Sequence, residues 1–265
     1  MIIRKSAAEL EQMSRVGRLV SEVLALVGES IRPGITTGEL DAIAEERIRA
    51  RGGIPTFKGY RGYPGSICAS PNELVVHGIP GPYALASGDI LSVDVGVTLG
   101  GFVGDCAFTF PVGAISPEAQ RLLDICQAAL AAGIEQCRPG NRLSDIGHAV
   151  QTVTEAAGFG VIRTLVGHGV GRSMHEDPQI PNFGEPGRGP VLAEGMVFAI
   201  EPMITAGGYD VVLHDDDWSI SSSDGSLAAH FEHTVAITST GPRTLTSHPK
   251  SSLASPVKEP AHQAG

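Results

Sequence analysis

The sequence predicts an α+β protein of two similar halves, each a helix pair followed by strands, with a site at the seam between them. Three observations carry this. Arg32-Pro33-Gly34 recurs as Arg138-Pro139-Gly140, and the same shift of 106 residues lays Glu39 onto Asp145, Leu40 onto Ile146 and Gly52 onto Gly158. Two β-rich runs, Ile90–Thr98 and Phe102–Val112, flank Leu99-Gly100-Gly101, where glycine permits the positive φ of a tight turn. In the second half, Gly195–Ile200 and Ala229–Val235 are apolar runs of strand length, one followed by Glu201 and the other containing Glu232. The recurrence is too long for a solenoid and reads as an ancient duplication; helix punctuation shared by chance is the alternative.

Along the chain, Ser6-Ala7-Ala8-Glu9 is a capping box opening a helix whose apolar stripe includes Leu10, Met13, Leu19, Val20, Val23, Leu24 and Val27. Arg32-Pro33-Gly34 ends it. Thr36 and Glu39 cap a second helix, with Leu40, Ile43, Ala44 and Ile48 on one face and Gly52-Gly53 as its stop. An irregular stretch, 55–64, leads to short strands around Ser66–Ala69 and Glu73–Val76, and His77-Gly78-Ile79-Pro80 loops into the hairpin. Ser116-Pro117 then supplies an N-cap and first-turn proline for a helix carrying Leu122, Leu123, Ile125, Cys126, Ala129 and Leu130. A fourth helix has Ile146, Val150 and Val153 and closes at Gly158.

Gly167-His168-Gly169-Val170-Gly171 reads as a glycine-rich loop, Gly195–Ile200 as a buried strand ending in Glu201-Pro202, and Ala229–Val235 as one strand. Asp210–Asp217 reads as a solvated acidic loop. A single domain is expected over 1–245, with halves about 6–113 and 114–245, and a disordered tail over 246–265.

The hairpin is where chemistry begins. Closure on Leu99-Gly100 would place Asp94 opposite Asp105 on one sheet face, with Cβ atoms about 4.5–5.5 Å apart. Two carboxylates opposed within apolar strands repel and lose hydration, so a divalent cation between them is the simplest companion. A solvated face for one or both is the plain alternative. His168, Glu201 and Glu232 join them from the second half. Four carboxylates balance two divalent cations while the imidazole caps one, a set suited to hydrolysis by an acidified bridging water. Oxygen and nitrogen donors together accommodate Co, Mn, Fe or Zn.

Competing chemistries are weaker. The chain has no G-x-S-x-G, H-E-x-x-H or Walker A sequence. Cys68, Cys106, Cys126 and Cys137 lack C-x-x-C spacing, which fits reduced thiols better than disulfides or a zinc knuckle. A net charge of −10 argues against a nucleic-acid or anionic-membrane partner. No apolar run is long enough to span a membrane, and residues 1–13 have no signal-type apolar region, so a cytoplasmic location is expected.

The order Asp94, Asp105, His168, Glu201, Glu232 resembles the metallopeptidases of the pita-bread fold, and within them the bacterial-type (type I) methionine aminopeptidases. The likeness runs through GYRGYPGSICASPNELVVHGIP (59–80), DILSVDVGV with GDCAFTF, GHGVGRSMHEDPQIPNFG (167–184), EGMVFAIEPMI (194–204) and FEHTVAIT (231–238). It implies two pseudo-symmetric halves forming a curved antiparallel sheet covered by helices, with a dinuclear metal site at the seam. Asp94 would chelate one ion, Asp105 and Glu232 would bridge both, and His168 and Glu201 would complete the other, Glu201 also relaying the proton of the attacking water. His77 and His175 would contact the scissile amide and steady the oxyanion. Tyr60, Tyr63, Cys68 and Trp218 would line the methionine pocket.

Position 174, commonly Phe in such relatives, is Met174 here and would adjust that pocket's shape. The implied activity removes the initiator methionine from nascent chains or peptides with a small second residue. The partner is a polypeptide N-terminus and the protein a monomer, with ribosome contact left open. The rivals are a proline-specific peptidase of the same fold and a non-enzymatic interaction module.

Overall fold

The computed structural model describes residues 1–246, so all but the first residue of the expected tail lies outside the described residues. Among the described residues four α-helices form, and three of them start at side-chain caps. α1 (Ala7–Ser30) begins at Ser6, whose hydroxyl accepts from the Glu9 amide while the Glu9 carboxylate accepts from the Ser6 amide. α2 (Thr37–Ala50) repeats the arrangement with Thr36 and Glu39. α3 (Pro117–Glu135) starts from Ser116 with Pro117 in its first turn. α4 (Leu143–Ala156) retains only half the box: Asp145 accepts from the Arg142 amide at 2.7 Å, and an arginine side chain has no acceptor with which to reciprocate.

The halves match in detail. Gly34 and Gly140 have φ of 90° and 95°, and Gly52 and Gly158 have 75° and 80°. Thr36 bridges to Ala84 as Arg142 bridges to Val191.

The strands of the first half are β1 (Ile54–Pro55), β2 (Cys68–Pro71), β3 (Leu74–Val76), β4 (Ile90–Leu99) and β5 (Phe102–Pro111). The second half adds β6 (Gly160–Val161), β7 (Val166–Gly169), β8 (Glu176–Pro181), β9 (Val197–Ile200), β10 (Met203–Thr205), β11 (Val211–Leu213), β12 (Ile220–Ser222), β13 (Ala228–His230), β14 (His233–Thr238) and β15 (Gly241–Thr244). β4 pairs with β5 along its whole length and with β1 and β2 on its other edge. The second half carries a five-stranded antiparallel sheet in the order β15-β14-β9-β7-β8. Two three-stranded sheets, β13-β10-β6 and β11-β12-β3, complete the array, and the latter joins strands of both halves. α1 packs on β4 and β5, whereas α3 and α4 cover strands of the second half. Phe108 and Phe231 meet across the seam with ring centroids 4.7 Å apart, both buried.

Four sequence expectations change. The hairpin turns on Gly100-Gly101, with φ of 60° and 79°, so Leu99 pairs with Phe102, Asp94 with Ala107 and Asp105 with Gly96. Asp94 and Asp105 are therefore not directly opposed. A two-residue turn of this hand needs positive φ at both central residues, which suits two glycines and opposes Leu99. The aspartates remain diagonal neighbours on one sheet face, because partner positions differ by two residues.

Gly167-His168-Gly169 is not a loop but strand β7, between β8 and β9. Its glycines serve close approach: a Cβ at 167 would lie 2.4 Å from the Ala199 carbonyl oxygen, and one at 169 would lie 2.2 Å from that of Asp177. The run Ala229–Val235 breaks into β13 and β14, leaving Glu232 in the gap. The acidic stretch Asp210–Asp217 contains β11, whose Val212 and Leu213 are exposed.

Candidate metal centre

Each of the five expected ligands is delivered by a different backbone element. Asp94 is mid-strand in β4 and Asp105 in β5; His168 is in β7; Glu201 directly follows β9; Glu232 lies between β13 and β14. The fold brings all five to one cavity of about 310 Å³, with His77 and His175 in its wall. One donor atom each from Asp105, His168 and Glu232 lies within 4.8 Å of the others. His168 Nε2 stands 3.7 Å from Asp105 Oδ2 and 3.4 Å from Glu201 Oε1. Asp94, although out of direct register, still reaches the Asp105 carboxyl with its own.

The electrostatics favour a cation. Asp94 Oδ1, Asp105 Oδ1 and Glu232 Oε1 are buried and have no hydrogen-bond partner among the described residues. Burial pushes the carboxyls of Asp94, Asp105, Glu201 and Glu232 well above the usual carboxylate range, and their mutual repulsion adds to it. Burial also lowers His168 to about 4, with the neighbouring His175 contributing, so its imidazole is neutral near pH 7. Its Nδ1 lies 3.0 Å from the Gly169 carbonyl, which requires the proton there and leaves the Nε2 lone pair facing the carboxylates. Orphaned buried oxygens and a neutral imidazole together suit a divalent ion.

Because burial favours protons on these carboxyls, metal and protons compete. Metal affinity is expected to rise as the pH increases through the raised carboxyl range, with protons released on binding. Calorimetric titration in buffers of different ionisation enthalpy reads that release directly. A heat independent of the buffer would contradict it.

The walls divide into two parts. Tyr63 is 3% exposed, its hydroxyl lies 2.9 Å from the Gly78 carbonyl and 3.1 Å from that of Ile67, and its ring meets Trp218 edge-on at 5.1 Å. Cys68 and Met174 are buried beside it. Burial drives the Cys68 thiol well above its ordinary value, which favours the neutral thiol over the thiolate. At the mouth, the Tyr60 hydroxyl lies 2.9 Å from His175 Nδ1, and the His175 ring stands 4.3 Å from that of His168. His77 occupies the left-handed region at φ 58° and faces Trp218 at 6.3 Å. Burial lowers both His77 and His175, making each a neutral imidazole in this cavity.

The cavity also contains residues that the sequence reading missed, among them Phe57, Arg61, Val76 and Met203. More informative is His230. It is 2% exposed, its Nε2 has no hydrogen-bond partner among the described residues, and that atom stands 3.9 Å from both Glu201 Oε2 and Glu232 Oε2. The two-residue step from His230 to Glu232 could have signalled a shared strand face.

Comparison with known proteins places this geometry. The model of metallopeptidase family M24 matches residues 11–239. A methionine aminopeptidase of Clostridium perfringens is 52% identical over 246 residues, covering 93% of this chain and 99% of that relative. Methionine aminopeptidase 1 of Bacillus subtilis is 51% identical over 241 residues, covering 91% and 97%. Among solved structures, the methionine aminopeptidase of Thermotoga maritima superposes with a TM-score of 0.92 at 44% identity, covering 93% of this chain and all of that one. The prolidase of Pyrococcus horikoshii shares the fold at a TM-score of 0.75 and 20% identity, with 64% of its length covered.

Proposed function

Because the chain belongs to metallopeptidase family M24, we propose that it removes the N-terminal methionine from peptides and nascent chains whose second residue is small. The observation that carries this reading is the set of orphaned buried carboxylate oxygens and a neutral imidazole beneath an aromatic and thioether-lined pocket. Asp94, Asp105, His168, Glu201 and Glu232 would hold two divalent ions there. Bound there, such ions supply Lewis acidity that makes water a competent nucleophile at neutral pH.

The chain's own groups do the rest. Tyr63, Cys68, Met174, Trp218 and Tyr60 enclose the methionine side chain, where apolar and aromatic walls suit a polarizable thioether. Glu201, at the edge of the cluster, accepts the proton of the attacking water and returns it to the departing amine. His77 and His175, neutral and at the mouth, hydrogen-bond to the scissile amide and to the developing oxyanion. The Tyr60 hydroxyl fixes the His175 ring through Nδ1 and leaves Nε2 for the substrate.

The reading extends to a cytoplasmic monomer. Among the described residues no helix is long and apolar enough to cross a membrane. Cys68, Cys106, Cys126 and Cys137 are all free and buried, which fits a reducing compartment.

The test is methionine release from Met-Ala-Ser and Met-Leu-Ser after loading with Mn, Fe, Co or Zn. Cleavage of the first and not the second is expected. No release from Met-Ala-Ser with any metal would overturn the proposal, and cleavage of X-Pro dipeptides would redirect it to proline-specific peptidases.

A further inference from the structure

The ligand-bearing segments of the two halves meet along an antiparallel run in which Asp105 faces Thr234, Ala107 faces Glu232 and Thr109 faces His230. At its centre the contact is a single direct backbone hydrogen bond, the Glu232 amide donating to the Ala107 carbonyl at 2.9 Å. On both flanks a threonine hydroxyl stands in for the partner backbone. Thr234 Oγ1 donates to the Asp105 carbonyl at 2.8 Å and accepts from the Asp105 amide at 3.1 Å. Thr109 Oγ1 donates to the His230 carbonyl at 2.8 Å and accepts from the His230 amide at 2.9 Å. Cys106 Sγ donates to the Glu232 carbonyl at 3.0 Å, closing the row. Thr109, Thr234, Asp105, His230 and Glu232 are each no more than 2% exposed.

We infer that Thr234 and Thr109 are positioning residues of the metal centre, hydroxyl clasps that set the spacing between Asp105 and the 230–232 segment. Direct pairing at all three points would draw the segments to about 4.8 Å throughout, the ordinary strand spacing. With no pairing on the flanks, repulsion between the buried carboxylates would spread them. A hydroxyl donates once and accepts from its own partner residue, so it satisfies both buried backbone groups of that residue while holding the strand one side-chain length away. The spacing that results is the one at which the Asp105 and Glu232 donors fall within 4.8 Å of His168. This inference rests on the proposal that these residues hold divalent metal.

The test is calorimetric titration of the metal-free full chain with Mn or Co. Thr234→Val keeps the shape and removes the hydroxyl; it is expected to weaken metal binding about 10–100-fold, the range for groups that orient ligands. Thr109→Val is expected to weaken it by about tenfold. Thr234→Ser restores both hydrogen bonds and is expected to bind metal within about threefold of the unaltered chain. Thr205→Val supplies the control: it removes a buried threonine hydroxyl bonded to the Gly208 carbonyl at 2.7 Å, away from the ligands, and should lower stability without changing metal affinity.

Metal binding by Thr234→Val within about twofold of the unaltered chain, or an equal loss in Thr234→Ser, overturns the clasp. Should Thr234→Val fail to fold, Thr109→Val decides by the same criterion on the opposite flank. The readout contains no peptide. A chain that binds metal as expected but leaves Met-Ala-Ser intact refutes the proposed activity while the clasp stands.

Discussion

Glu201→Gln is expected to lower kcat on Met-Ala-Ser by about 10²–10⁴-fold, the range for removal of a positioned acid–base group. The amide keeps the shape of the carboxyl but cannot take a proton from water at neutral pH. Glu201 suits that role by placement. It directly follows β9, its side chain is 13% exposed, and Oε1 reaches to 3.4 Å from His168 Nε2. Without metal, burial, reinforced by Asp105 and Asp94, raises its pKa well above the ordinary range. Since the same residue is a proposed ligand, metal affinity has to be measured beside the kinetics. A fall in kcat that persists at saturating metal identifies the proton relay. Full activity at saturating metal would leave Glu201 a ligand alone.

Lys5→Met is expected to destabilise the protein by about 3–5 kcal/mol, the cost of leaving a buried charge without its partner. Lys5 Nζ lies 2.6 Å from Glu176 Oε2, and the two side chains are 4% and 6% exposed. Glu176 Oε1 also accepts from the Arg172 amide at 2.8 Å, so the carboxylate fastens the loop that carries Met174 and His175. The Lys5 amide is tied in turn to the Gly195 carbonyl at 2.6 Å, which anchors the segment ahead of α1 against the second half. In a chain of this size each kcal/mol shifts Tm by about 2–4 °C, so the loss is readable by thermal unfolding. Adding Glu176→Gln to Lys5→Met should recover part of it, because a neutral amide is cheaper to bury unpaired than a carboxylate. A Tm for Lys5→Met within about 2 °C of the unaltered chain would show the pair to be energetically idle.

These effects differ in how far the sequence could foresee them. The helix starts at Ser6, Thr36 and Ser116 lie where their capping residues put them, because an N-cap is satisfied within three residues of itself. The hairpin register was within reach of the same local reasoning. Glycines at 100 and 101 adopt φ of 60° and 79°, and closure on Leu99 would have forced a branched residue into positive φ. The glycines around His168 misled for another reason. They exist for the sake of the Ala199 and Asp177 carbonyls, and a neighbouring strand is not visible from within its partner.

The sequence by itself determined the helix pairs, the strand-rich hairpin, and the order of five candidate donors, since each sits in a local frame of apolar or glycine neighbours that a short window contains. Only the tertiary structure decided how those donors meet. Asp105 and Thr234 are 129 residues apart, and Lys5 and Glu176 are 171 apart. Their contacts depend on how two sheets and their helices pack, and packing sums many weak interactions that no local pattern encodes. The same packing placed His230 beside Glu201 and Glu232. The chain's chemistry was legible in its letters; the distances at which that chemistry works are a property of the seam.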